Sequence, residues 1–167
     1  MTSHHLNALE AGFLQAEDAD GHTSLALGAV ALLSGPAPSH DHLLTVLAER
    51  AARVPRCHEV LHETQMDLVA PRWVEDEGFD IAHHVRRVAV TAPGDDAALF
   101  ALVAQVMERR LDRSRPLWEC WVIDGLAGDR WAMLIKIHHC VADGVAATAI
   151  FEELCDDWAL TAPAATT

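Results

Sequence analysis

The sequence predicts a mixed α/β domain, on three observations. Strand-like and helix-like hydrophobic periods interleave along the chain, the composition supports a buried core, and no internal repeat or membrane-length apolar run interrupts the pattern. With 167 residues, 51% apolar and 22% charged, one compact domain with a sizeable core is expected. The expected layout is a lobe over residues 1–160, a mixed sheet with packed helices, followed by the start of a linker at 161–167, where Thr, Ala and Pro offer nothing to bury.

The elements follow in order. Leu25 to Leu33 is apolar at nearly every position, which predicts a central strand buried on both faces, ended by Gly35-Pro36-Ala37-Pro38. Ser39 is a candidate N-cap for a helix carrying Leu43, Leu44, Leu47, Ala51 and Val54 at the 3.6-residue period until Pro55. Val85, Val88 and Val90 mark a short strand. Pro93-Gly94-Asp95-Asp96 then leads into a helix predicted to carry Phe100, Val103, Met107 and Leu111 on one face, with Arg109 and Arg110 suiting its dipole at the C-terminal end. Leu117–Asp124 and Arg130–His139 read as a hairpin joined by the five residues from Gly125 to Asp129. In its second strand Trp131, Met133, Ile135, Ile137 and His139 share one face, and Ala132, Leu134, Lys136 and His138 the other. Beyond Gly144, the residues Ala147, Phe151, Leu154 and Trp158 predict a helix packed on the sheet.

Charge and composition exclude several roles. The formal charge is −13, from 12 basic and 25 acidic residues, so the long-range field repels nucleic acid and anionic membranes. The longest apolar run falls far short of the roughly 20 residues needed to span a bilayer. The N-terminus lacks the pattern of a secretory signal, and the four cysteines, Cys57, Cys120, Cys140 and Cys155, form no CxxC pair. Reduced thiols in the cytoplasm are therefore expected.

The sharpest chemical signal is His138-His139-Cys140-Val141-Ala142-Asp143-Gly144, set between a strand and a helix. A histidine at a strand end is held rigidly and can face a cavity, with a neutral imidazole able to accept a proton near pH 7. Asp143 can fold back to fix the loop or hold a cation, and Gly144 permits close backbone approach. The plainer alternative is a hydrogen-bonded core histidine with Asp143 as a helix cap.

This segment resembles the HHxxxDG motif of the CoA-dependent acyltransferase superfamily, which includes chloramphenicol acetyltransferase and peptide-synthetase condensation domains. Leu111-Asp112-Arg113-Ser114-Arg115-Pro116-Leu117-Trp118-Glu119 is similar to the PLDRSRPLWE signature of the bacterial wax ester synthase/diacylglycerol acyltransferase family. Trp73-Val74-Glu75-Asp76, Phe79-Asp80 and His84-Val85-Arg86 resemble a second block of that family, and Leu6 to Glu17 its opening segment. The chain departs from the family pattern at Arg110, where proline is usual, and at Glu10, where aspartate is usual.

The resemblance implies a chloramphenicol acetyltransferase-like lobe that transfers a fatty acyl group from acyl-CoA to diacylglycerol or a long-chain alcohol. Acyl-CoA enters as donor substrate; no cofactor and no metal are implied. His139 is the expected general base, His138 its support, and Asp143 mainly structural, paired with an arginine that Arg113, Arg115, Arg53 and Arg56 could each supply. Gly144, Trp118 and Arg115 are the expected substrate contacts. A C-terminal lobe, in the same or a separate chain, is the expected partner, and contact with lipid inclusions or the inner membrane face is the expected peripheral location. A different class of role would be a non-catalytic lobe that binds acyl-CoA, lipid or a protein.

Two other constellations compete. His58-Glu59-Val60-Leu61-His62 matches HExxH, which on a helix would place two zinc ligands one turn apart. Pro55 precedes it and no helical apolar face follows, so a strand is expected there instead. Arg109, Arg110, Arg113 and Arg115 form the densest basic cluster, and a solvated helix end explains it more simply than a site for the CoA phosphates. Trp118 and Trp121 should point to opposite faces of their strand.

Overall fold

A computed structural model describes residues 4–62, 71–142 and 144–155. Two sheets and four helices make up the described fold. β1 (His4–His5) leads into α1 (Ala8–Ala19), whose start is a capping box: the Asn7 side chain accepts from the Leu9 and Glu10 amides, and the Glu10 carboxylate accepts from the Asn7 amide. That bond gives Glu10, one of the departures from the family pattern, a local structural task. β2 (Ala26–Ser34) follows, then α2 (His40–Ala51), capped by Ser39 and burying Leu43, Leu47 and Ala51.

A 3₁₀ turn (Pro55–His58) leads to β3 (Glu59–His62), which pairs with β4 (Arg72–Glu75). The HExxH segment is thus a turn and a strand, as its flanking residues predicted, and the helical context that zinc chelation by that motif requires is missing. β5 (Val85–Ala89) runs parallel to β6 (Trp118–Leu126), joined through α3 (Asp96–Glu108). β6 turns back into β7 (Arg130–His138), and α4 (Gly144–Cys155) follows.

The four-stranded sheet has the order β2-β7-β6-β5, and the smaller sheet the order β1-β4-β3. β7 and β6 are therefore the two inner strands, and eight of the nine residues of β7 are buried, most of them apolar on both faces. Trp131, Met133, Ile135 and Ile137 enter the main core with α2 and α4, while Ala132 and Leu134 enter a second cluster under α3. No helix among the described residues is long and apolar enough to cross a membrane.

Four expectations are corrected. Leu25–Leu33 is not a central strand buried on both faces: β2 lies at the edge of the described sheet, pairs only with β7, and alternates half-buried with exposed positions. On α3 the buried stripe runs through Leu99 and Val106, so Phe100 is turned outward and 61% exposed, and Leu111 is buried beyond the end of the helix. The first hairpin strand runs two residues further than expected, to Leu126, leaving three loop residues, with the register irregularity between Ile123 and Leu126 taking up the rest, and the second strand ends at His138 rather than His139. Arg110 does not serve the end of α3. Its guanidinium donates to the Glu17, Asp20 and Thr23 carbonyls at the end of α1, and the α3 carbonyls of Val106 and Arg109 instead receive the buried ammonium of Lys136.

Candidate active site

The histidine pair sits where β7 runs out. β7 ends at His138, whose amide donates to the Leu117 carbonyl just before β6, while the His139 amide donates to the Leu25 carbonyl beside β2. A turn follows at once, closed by the Val141 amide on the His138 carbonyl. Both rings meet α1: His138 lies beside Glu17 and His139 against Phe13.

His138 is sealed, at 1% exposure. Its Nδ1 accepts the Cys140 amide at 3.1 Å, so in the neutral ring the proton resides on Nε2, which lies 3.4 Å from Oε2 of Glu17. Burial lowers the pKa of His138, with the Glu17 charge acting against that shift. The ring is accordingly neutral near pH 7. His139 is half-buried, and its ring stacks on Phe13 of α1 with centroids 4.1 Å apart. Its Nδ1 is buried and has no hydrogen-bond partner among the described residues.

Glu17 was not singled out from the sequence. It is 1% exposed and receives the Leu25 amide at 3.0 Å and Arg113 Nη2 at 2.8 Å. Burial works to raise its pKa, but these two donors and the charges of His138 and Arg113 together hold it below the ordinary value. Arg113 in turn bridges Asp18 at 2.9 Å. The Asn7-to-Glu10 spacing was a legible signal for α1 itself. Nothing in the local pattern indicated that its last turn reaches the histidines.

The other expected residues lie elsewhere or outside the described residues. Asp143 lies outside them, as does Trp158; Gly144 opens α4. Of the arginines considered for Asp143, Arg113 is held by Glu17 and Asp18, Arg53 by Glu153, Arg56 by Glu59 and Arg115 by Asp112. Trp118 is a core residue at 2% exposure, with its indole donating to the Cys57 carbonyl at 3.0 Å and stacked on His84. Trp121 faces the second cluster, as the alternation required. Trp118 and Arg115 meet along a cleft of about 240 Å³ that His84, Arg86, Asp112 and Glu119 also line and that neither His138 nor His139 enters. The ion pairs Arg115–Asp112 and Arg86–Glu119 leave that cleft with little uncompensated charge.

Cys57, Cys120 and Cys140 are buried free thiols. Burial pushes the Cys140 thiol, next to His139, up to about 12, so it is no thiolate nucleophile at neutral pH.

A mixed sheet with helices on its faces and a histidine pair at the end of an inner strand defines a chloramphenicol acetyltransferase-like lobe. The first condensation domain of the calcium-dependent antibiotic synthetase shares this fold, with a TM-score of 0.73 over 92% of this chain and 36% of that chain, at 16% identity. The wax ester synthase/diacylglycerol acyltransferase from Marinobacter aquaeolei VT8 aligns with a TM-score of 0.71 and 29% identity, over 87% of this chain and 37% of that one. The wax ester synthase/diacylglycerol acyltransferase catalytic domain family matches residues 6–167, and the chain belongs to that family.

Its curated relatives include a putative diacylglycerol O-acyltransferase of Mycobacterium tuberculosis H37Rv, 53% identical over 91% of this chain and 32% of the relative. The probable diacylglycerol O-acyltransferase tgs1 of the same strain is 52% identical over 92% of this chain and 33% of the relative. The chain thus spans about a third of the length of these relatives.

Proposed function

We propose that this chain is the histidine-bearing lobe of an acyl-CoA-dependent O-acyltransferase that esterifies diacylglycerol or a long-chain alcohol. One observation supports the residue assignment most directly: of two adjacent imidazoles, His138 is sealed, with Nδ1 taken by the Cys140 amide and Nε2 set 3.4 Å from the Glu17 carboxylate, whereas His139 is only half-buried and its Nδ1 has no hydrogen-bond partner among the described residues. In the reaction His139 takes the hydroxyl proton as the alcohol oxygen bonds to the thioester carbonyl carbon. The tetrahedral intermediate then expels the CoA thiolate, which recovers the proton from the imidazolium as the thiol. An alcohol is a poor acid and a thiolate a good leaving group, so a positioned base is worth roughly 10²- to 10⁴-fold.

The remaining length of the relatives would supply the opposite wall of the site, including donors for the oxyanion. Both acceptor classes are lipids, which places the reaction at a lipid surface. His139→Ala in the full-length protein, assayed with labelled palmitoyl-CoA and dioleoylglycerol, is expected to lose at least about 100-fold in kcat while retaining acyl-CoA binding. His138→Ala is expected to be the milder change. Turnover by His139→Ala at the wild-type rate would overturn the assignment.

A further inference from the structure

We propose that α1 is a two-point clamp on the histidine pair: Phe13 orients the ring of His139, and Glu17 anchors the ring of His138 and, through the Leu25 peptide, the backbone of His139. The inference rests on the reading of His139 as the base and names the groups that position it. Phe13 and Glu17 are one helical turn apart, so both project from the same face of α1. The Phe13 ring lies nearly parallel to His139, at 21°, with its centroid 4.1 Å away. That contact leaves the imidazole little freedom about its outer side-chain torsion.

Glu17 acts on the same dipeptide by two routes. Oε1 accepts the Leu25 amide at 3.0 Å, and the carbonyl of that residue accepts the His139 amide at 2.9 Å. Oε2 accepts from Arg113 at 2.8 Å and faces His138 Nε2 at 3.4 Å. Two donors and the sealed His138 ring therefore converge on one buried carboxylate. If α1 only had to pack, an apolar side chain would serve, because a buried charge is costly unless its partners are complete. Here two of the groups around it, Leu25 and His138, are those that adjoin His139, one by hydrogen bond and one by chain. A reacting group displaced by about 1 Å loses on the order of 100-fold in rate, so both residues are positioning residues, with neither touching the reacting atoms.

The test uses the full-length protein with Glu17→Gln and Phe13→Leu, and His139→Ala as reference. An amide has one acceptor oxygen and adds a donor, so glutamine cannot receive the Leu25 amide on one oxygen and Arg113 on the other, and it brings no charge to the His138 ring. Both variants are expected to lose 10- to 100-fold in kcat with palmitoyl-CoA and dioleoylglycerol, read below each variant's own Tm, while KM for palmitoyl-CoA stays within about threefold. Histidine-selective ¹⁵N spectra should show a single Nε2–H tautomer at His138 in the wild type and a mixture in Glu17→Gln. The His139 resonances should move in Phe13→Leu. Wild-type kcat in both variants, a rate loss that only tracks the unfolded fraction, or unchanged imidazole spectra would overturn the clamp. Full activity in His139→Ala would instead refute the acyl-transfer assignment, while the spectra still decide whether α1 holds the two rings.

Discussion

Buried titratable groups give the fold a one-sided response to pH. Burial lowers the pKa of His138, against the pull of Glu17, and lowers that of His84, against its hydrogen bond to the Trp118 carbonyl. Between the folded values and about 6.5 the unfolded chain binds more protons than the folded one, so stability rises with pH across that window. Glu17, also lowered, adds a second loss of stability below its ordinary value of 4.5. All three contributions have the same sign. Calorimetry is expected to give a Tm that is level from pH 8 to 7 and falls progressively below about 6.5, at about 2–4 °C per kcal/mol for a chain of this size. A level Tm down to pH 5 would mean that both rings accept protons within the intact fold.

At the scale of elements, the connection from β5 into α3 depends on close backbone packing against the β6–β7 hairpin. Gly94 has φ of +69°, donates its amide to the Thr91 carbonyl, and accepts the Ala127 amide at 2.8 Å. A Cβ at this position would collide with the Gly125 carbonyl, which is backbone and has no rotamer through which to yield. Gly94→Ala therefore combines a left-handed conformation with a steric clash. It is expected to destabilise by roughly 2–4 kcal/mol, measured by urea unfolding. Gly12, with nothing within 4 Å of its added Cβ and a place inside α1, should tolerate or gain from the same change.

For the whole molecule, the edge position of β2 matters most. Leu32 is 51% exposed and Val30 is also exposed, on a strand with one paired side among the described residues. An edge strand with outward apolar side chains is a template for self-association. Leu32→Lys is expected to leave the circular dichroism spectrum and Tm of the chain nearly unchanged and to reduce its light scattering at high concentration. A large drop in Tm would show that Leu32 contributes to the core, contrary to its exposure.

Local pattern in the sequence was enough to determine the α/β class, the capped helix after Ser39, the hairpin, and the opposite facing of Trp118 and Trp121. Each of these depends on spacing between near neighbours, a period of 2 or 3.6 or a capping residue, which any stretch of sequence displays by itself. The motif residues around His139 likewise pointed to acyl transfer before any fold was known. Which strand lies in the centre was not legible: Leu25–Leu33 and Arg130–His138 are both rich in apolar residues, and only pairing on two sides separates β7 from β2. Nor was the task of Arg110, Lys136 or Glu17, because each side chain meets partners contributed by an element far away in the chain. A polar group in an apolar stretch announces that it needs a partner, but only the tertiary structure brings that partner within hydrogen-bond distance.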